Sequence, residues 1–156
     1  MANIEIPLHH PIYLYRTPMF MITVSTVLLV ENGVICFEEN GIIRFPTTFV
    51  KAGQETIQFA VIRNIKEVVG ITLTKETLIP VDFRSDPDRS NEKNLIDFGF
   101  LCITDKLTSD CHKLNSNITW KEVNFEEKCM VNKSNFYMDH NVLLERALEV
   151  SCIIKE

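Results

Sequence analysis

The stretch ETIQFAVIRNIKEVVG, residues 55–70, is the most informative part of the sequence for the fold. Its apolar side chains recur three or four positions apart, which places them on one stripe of a helix. That stripe consists of Ile57, Ala60, Val61, Ile65 and Val68. Thr56 predicts an N-cap before the helix, and Gly70 suits the left-handed conformation that ends many helices. The stretch therefore predicts an amphipathic helix with one buried face.

Strand-forming segments lie on both sides of this helix. Residues 19–46, MFMITVSTVLLVENGVICFEENGIIRFP, are rich in Val, Ile and Thr and contain the turn signal ENG twice. The apolar run within them suits a strand that is buried on both faces. Further along the chain we expect one or two strands in 71–85, single strands in 95–104 and 118–125, and a helix in 139–155 capped by Asp139. This order predicts an α+β domain with a mixed sheet and helices on its faces.

The composition is that of one globular domain covering residues 1–156. Hydrophobic residues make up 46% of the chain and charged residues 24%, enough for one sizeable core. The net charge of -5 offers no basic face for nucleic acid. The longest apolar run, residues 19–30, is too short to span a bilayer, and the start MANIEIPLHH lacks the pattern of a signal peptide. With five cysteines and no CxxC pair, we expect a cytoplasmic protein without a disulfide framework, a membrane span or direct nucleic-acid contact.

The helix face offers few ligands to a divalent metal. Cleavage of a phosphoanhydride uses Mg²⁺ or Mn²⁺, and these ions bind several carboxylate oxygens. A helix presents such groups on one face at positions i, i+3 and i+4. Counted from Asn64, these positions hold Asn64, Glu67 and Val68, of which only Glu67 is a carboxylate.

Read with its flanks, the segment FPTTFVKAGQETIQFAVIRNIKEVVGI, residues 45–71, resembles the Nudix box, whose core is REUXEEXGU with U a bulky apolar residue. The matching residues are Pro46, Phe49, Val50, Gly53, Glu55, Thr56, Ala60, Arg63, Ile65, Glu67, Gly70 and Ile71. Two later segments, RSDPDRSNEKNLIDFGFLC and MDHNVLLERALE, are similar to the ADP-ribose-directed branch of that family, which also includes the sensor domains of Nudix-related transcriptional regulators. The resemblance covers residues 20–150 and implies a Nudix fold, an α/β/α sandwich.

The resemblance also implies catalytic and metal-binding residues. Glu67 and Glu55 take catalytic positions, and Glu67 and Asn64 take positions that would hold Mg²⁺ or Mn²⁺. The spacing up to Arg63 is one residue longer than in the box, so Gln54 fills the box glutamate position when counted forward and Glu55 when counted back. With Glu55 in that position, Arg63 pairs with it and holds the loop against the helix. The implied substrate-binding residues are Arg89, Asp86 and Arg63.

The departures from the box fall at the residues that carry its chemistry. Thr47 and Thr48 replace the paired glycines, and a Cβ at both positions obstructs the close approach of a ligand. Asn64 replaces the first glutamate after the arginine, and Val68 replaces the second of the Glu-Glu pair. Losing these ligands should cost orders of magnitude in rate, since bound metals supply several kcal/mol of transition-state stabilisation.

Three functions are compatible with this pattern. The first is a protein that binds a nucleoside diphosphate derivative such as ADP-ribose, with weak or no hydrolysis. The second is an active, Mg²⁺-dependent pyrophosphohydrolase that uses Glu67 and Glu55, helped by Glu126 or Glu127. The third is a non-catalytic structural or interaction protein, for example one partner of a homodimer. We expect the first, because the missing carboxylates are those that bind the metal.

Overall fold

A computed structural model describes residues 20–89, 94–105 and 117–155. The strands in these residues are β1 (Met21–Val30), β2 (Gly33–Glu39), β3 (Ile42–Arg44), β4 (Thr47–Phe49), β5 (Ile79–Arg84), β6 (Leu95–Ile103), β7 (Ile118–Asn124), β8 (Cys129–Met130) and β9 (Asn135–Phe136). The α-helices are α1 (Ile57–Val68) and α2 (His140–Lys155), and single 3-10 turns occur at Lys75–Thr77 and Pro87–Arg89. None of the helices described is long and apolar enough to cross a membrane.

The sheet is mixed, and β1 lies at its centre. Along one edge β1 runs parallel to β6, in a register that pairs Thr23 with Asp97. Along its other edge β1 pairs with two different strands, because β4 occupies its first half and β2 its second half, both antiparallel. The path β5-β6-β1-β2-β3-β9 forms the main order of strands, and β7 joins β2. Between β4 and β2 the edge of β1 therefore changes partner.

Strand β1 contributes to a separate core on each face of the sheet, because alternate side chains of a strand point to opposite faces. The core that contains α1 takes from β1 and α1 the residues Val24, Leu28, Val30, Ala60, Val61 and Ile65. The core that contains α2 takes from β1 and α2 the residues Val27, Leu29, Leu143, Leu144, Ala147 and Leu148. The sheet thus lies between two helices, which confirms the predicted α+β class and α/β/α sandwich. By the same alternation Thr23 and Ser25 face the α2 side.

The ends of the two helices were predicted with different success. The Oγ1 atom of Thr56 accepts a hydrogen bond from the Phe59 backbone N–H at 3.1 Å, and Gly70 has a φ of 82°, so the predicted cap and stop of α1 are confirmed. Asp139 does precede α2, but its carboxylate accepts hydrogen bonds from Arg84 and Arg89. Asp139 thus holds the predicted N-cap position, with its carbonyl accepting from the Leu143 N–H at 3.3 Å, while its carboxylate takes the stronger, charge-assisted bonds of two guanidinium groups.

Candidate functional site

An open cleft of about 740 Å³ lies on the α2 side of the sheet, where β4 leaves the edge of β1. Strands β1, β3, β4 and β6 and the segment before α2 supply its walls. Its lining residues are Thr23, Ser25, Arg44, Thr47, Thr48, Phe49, Asp88, Arg89, Leu95, Asp97, Tyr137, Met138 and His140. The cleft is large enough for a ligand of nucleotide size.

A buried carboxylate, Asp97, lies at the floor of the cleft. Only 1% of Asp97 is exposed. Its Oδ1 atom accepts hydrogen bonds from Thr23 Oγ1 at 2.6 Å and from Ser25 Oγ at 2.9 Å, and its Oδ2 atom accepts one from Arg84 Nη2. The parallel register of β1 and β6 brings these groups together. Because protein donors bond both of its oxygens, Asp97 shapes the floor and offers little to a ligand.

A second carboxylate, Asp139, joins two arginines at the side of the cleft. Arg84 Nη1 donates to Asp139 Oδ1 at 2.6 Å. Arg89 donates from Nε to Asp139 Oδ2 at 2.8 Å and from Nη2 to Oδ1 at 2.9 Å. Burial would raise the pKa of Asp139, but the bonds from Arg89 and the charge of Arg84 outweigh it and lower that pKa. The network ties the segment after β5 to the start of α2.

His140 forms part of the same wall and is neutral. It is 2% exposed, and its Nδ1 atom accepts a hydrogen bond from the Phe45 backbone N–H at 3.0 Å. Its ring stacks on Phe45 and meets Tyr137 edge-on. Burial, with the nearby charge of Arg84, lowers the pKa of His140 to about 3. Since Nδ1 accepts, the proton of the neutral ring lies on Nε2.

The box residues form a clamp between α1 and the loop before it. Arg63 donates to Glu55 from Nε at 2.9 Å and from Nη2 at 2.7 Å, and Nη2 also donates to the Phe49 carbonyl at 3.1 Å. The Lys51 backbone N–H donates to Glu55 at 2.9 Å. The bonds from Arg63 hold the pKa of Glu55 at about 2. The predicted pairing of Arg63 with Glu55 is therefore present, and Glu55 rather than Gln54 makes it.

The clamp predicts that Glu55→Gln lowers the free energy of unfolding by about 1.5–3 kcal/mol at neutral pH, because it removes charge-assisted bonds to a side chain that is 4% exposed. The pKa of Glu55 falls from 4.5 to about 2 on folding. The contribution of ionised Glu55 to the free energy of unfolding is therefore complete above pH 4.5 and disappears as the pH falls towards 2. Urea unfolding at neutral and at acid pH measures both effects.

Glu67→Gln is the matched control for this prediction. Glu67 pairs with the same Arg63 at 3.3 Å, but its side chain is 57% exposed. An exposed pair contributes about 0–1 kcal/mol, so the control variant should unfold almost as the wild type does. Equal losses in the two variants would contradict the clamp.

The residues present are a poor fit to a Mg²⁺ or Mn²⁺ site. Asn64 is 3% exposed, so its amide oxygen, the atom of that side chain that could bind a metal, is poorly accessible to an ion. Glu67 bonds to Arg63, and the remaining ligand position holds the apolar Val68. Across residues 20–89, 94–105 and 117–155, no three His, Cys, Asp or Glu side chains are arranged to hold a metal ion.

The structure separates the predicted site residues. Arg89 lines the cleft, whereas Asp86 is exposed beside it and accepts a hydrogen bond from the Asp88 backbone N–H. The cleft lining does not include Asp86, nor does it include the other four predicted residues, Glu55, Arg63, Asn64 and Glu67. Their catalytic, metal-binding and substrate-binding roles, like that of Asp86, stay predictions. His9 and His10, considered as surface residues, lie outside the described residues.

Sequence reasoning missed the two residues at the centre of the buried network, Asp97 and Arg84. Each carries a signal in the sequence. Asp97 interrupts the apolar strand segment LIDFGF, and Arg84 ends the strand segment IPVDFR. A charge inside a strand that is otherwise apolar is seldom buried without a partner of opposite charge. The two residues could therefore have been proposed as a pair.

Solved structures similar to this chain include three bacterial proteins. A MutT/nudix family protein from Enterococcus faecalis has a TM-score of 0.70 and 17% identity, over 97% of this chain and 66% of that one. The NUDIX domain of Shewanella oneidensis NrtR, solved with ADP ribose, has a TM-score of 0.67 and 16% identity, over 91% and 98%. A bifunctional NMN adenylyltransferase/ADP ribose pyrophosphatase from Francisella tularensis, solved with AMP and a Mn ion, has a TM-score of 0.54 and 19% identity, over 93% and 44%. No protein-family model and no curated protein sequence matches the chain.

These likenesses show that the chain has the Nudix fold, as the resemblance of its sequence predicts. The chain spans about two thirds of the Enterococcus protein and less than half of the Francisella protein. By contrast, the chain spans 98% of the NrtR NUDIX domain, which was solved as a separate domain.

Proposed function

We propose that this chain binds a nucleoside diphosphate derivative such as ADP-ribose in the cleft, without a divalent metal, and hydrolyses it weakly or not at all. One observation carries the proposal: the ligand-sized cleft is open, while Glu55 is bonded to Arg63 and the box ligand positions beside Glu67 hold Asn64 and Val68. A carboxylate held by a guanidinium is a poor ligand for Mg²⁺, which gives up its water only to concentrated negative charge.

The ligand class is supported by the neighbours and by the cleft itself. The NrtR NUDIX domain was solved with ADP ribose, and the Francisella enzyme with AMP. In this chain the cleft combines arginines with apolar side chains such as Leu95 and Phe49, a combination that suits a ligand with anionic and aromatic parts. The Mn ion belongs to the Francisella structure; in the part of this chain that the structure describes, no three His, Cys, Asp or Glu side chains are arranged to hold a metal ion.

Calorimetric titration with ADP-ribose tests the proposal. We expect the same dissociation constant in EDTA and in Mg²⁺, because no protein group brings a metal to the ligand. Binding that requires Mg²⁺ would contradict the proposal and favour the alternative of an active pyrophosphohydrolase. An absence of binding to ADP-ribose, ADP and AMP alike would favour an interaction protein. The homodimer and the cytoplasmic location stay predictions.

A further inference from the structure

A second, smaller cavity adjoins the cleft. Its volume is about 250 Å³, and β2, β3 and the turn between them supply most of its walls. Arg44 and Tyr137 line both cavities, so these two side chains form the ridge where the cavities meet. The site therefore has two lobes of unequal size on either side of a cationic and an aromatic side chain.

Arg44 on this ridge is held in place but keeps its hydrogen-bonding capacity. Its guanidinium lies over the Phe37 ring, 5.6 Å from the ring centroid. Within the described part of the chain, the Arg44 side chain makes no hydrogen bond or ion pair, in contrast to Arg84 and Arg89, which bond to carboxylates. A guanidinium has five N–H donors in a planar fork that matches phosphate oxygens. Stacking on Phe37 restricts the side chain in advance and leaves those donors for a ligand.

We propose that Arg44 binds the diphosphate of the ligand directly, and that the smaller cavity holds the sugar attached to the second phosphate. The inference rests on the proposed function and adds where each part of the ligand lies. In this arrangement the diphosphate crosses the ridge at Arg44, and the larger lobe holds the nucleoside. A cation of the protein thus replaces the metal at the diphosphate.

The lining of the smaller cavity supports a sugar in particular. Phe37, Ile42 and Tyr137 present apolar surface, while Glu39 and Asn40 present a carboxylate and an amide. A sugar has apolar C–H faces and hydroxyl groups that donate to such oxygens, so it matches both kinds of wall. A further phosphate would meet the negative charge of Glu39 and is disfavoured there.

Titration of ADP-ribose, ADP and AMP into the full chain in EDTA tests the inference. Arg44→Met keeps an apolar side chain against Phe37 and removes the charge from an exposed position. Losing a hydrogen-bonded charge should weaken ADP-ribose binding about 10- to 100-fold and AMP binding far less, since AMP lacks the diphosphate. Arg44→Lys should recover part of the loss. Arg146→Met, at an exposed arginine of α2 that lines neither cavity, is the matched control and should bind as the wild type does.

A second variant tests the smaller cavity. Ile42 is 45% exposed, so Ile42→Trp can fill the cavity without disturbing the core. It should weaken ADP-ribose binding while leaving ADP binding unchanged. Wild-type affinity for ADP-ribose in Arg44→Met, or equal effects of Ile42→Trp on ADP-ribose and ADP, would overturn the inference and leave the proposed function standing. A wild-type chain that binds none of the three nucleotides would overturn both.

Discussion

Arg84→Met is expected to lower the free energy of unfolding by about 3–5 kcal/mol, the typical cost of removing one partner from a buried ion pair. The side chain of Arg84 is 9% exposed and donates to both Asp97 and Asp139. Without it, Asp97, which is 1% exposed, keeps its two hydroxyl donors and the more distant Arg89, whose Nη2 atom is 4.0 Å from Asp97 Oδ2. Urea unfolding at neutral pH measures the loss.

Arg146→Met is the control for this prediction too. Arg146 pairs with Glu149 at 3.2 Å on the surface of α2, with 57% of its side chain exposed. Removing it should cost about 0–1 kcal/mol. If Arg84→Met unfolds no more easily than Arg146→Met, then the buried network does not hold the segment after β5 against α2, and the side wall of the cleft depends on other contacts.

Acid is expected to destabilise the fold through His140, which is buried and neutral in the folded chain. Burial and the charges of Arg84, Arg89 and Arg44 lower its pKa from 6.5 to about 3, and the opposing charge of Asp139 does not offset them. The unfolded chain therefore binds a proton below 6.5 that the folded chain excludes until about 3. The contribution of neutral His140 to the free energy of unfolding is therefore complete above pH 6.5. As the pH falls from 6.5 towards 3, the free energy of unfolding decreases by up to about 1.36 kcal/mol per pH unit.

Denaturant unfolding at several pH values between 7 and 4.5 measures this slope. This pH window lies above the range in which protonation of Glu55 changes the stability, because the pKa of Glu55 is 4.5 in the unfolded chain and about 2 in the folded chain. His140→Asn is the informative variant: an amide oxygen can still accept the Phe45 N–H, but the side chain no longer titrates. The variant should be less stable than the wild type at neutral pH and should lose most of the slope. An unchanged slope would assign the acid sensitivity to another group.

The features that sequence reasoning predicted are local ones. The apolar stripe, cap and stop of α1 all lie within sixteen consecutive residues, 55–70, and helical spacing fixes their geometry. The bond between Arg63 and Glu55 spans eight residues and links the helix to the loop before it. Counting along the box does not decide whether Gln54 or Glu55 takes the box glutamate position. The local turn decides it, because it directs the Glu55 side chain towards Arg63.

The features that were missed depend on contacts between distant parts of the chain. Asp97 and Thr23 are 74 positions apart and meet only because β1 and β6 run parallel in one particular register. Arg84 and Asp139 are 55 positions apart, and their contact depends on how α2 packs against β5. The spacing of apolar residues shows which face of a helix or strand is buried. It does not show how two neighbouring strands are aligned with each other. The bonds of the Asp139 carboxylate to Arg84 and Arg89 were missed for this reason.

The central claim is that the cleft binds its ligand while the box helix no longer supports metal-dependent hydrolysis. The most direct test is to incubate the chain with ADP-ribose and Mn²⁺, confirm that ADP-ribose is bound, and quantify AMP by chromatography. We predict bound ADP-ribose and no AMP above the protein-free control. Formation of AMP that requires Mn²⁺ and disappears in Glu67→Gln would contradict the claim, because it would show that Glu67 still serves a catalytic metal.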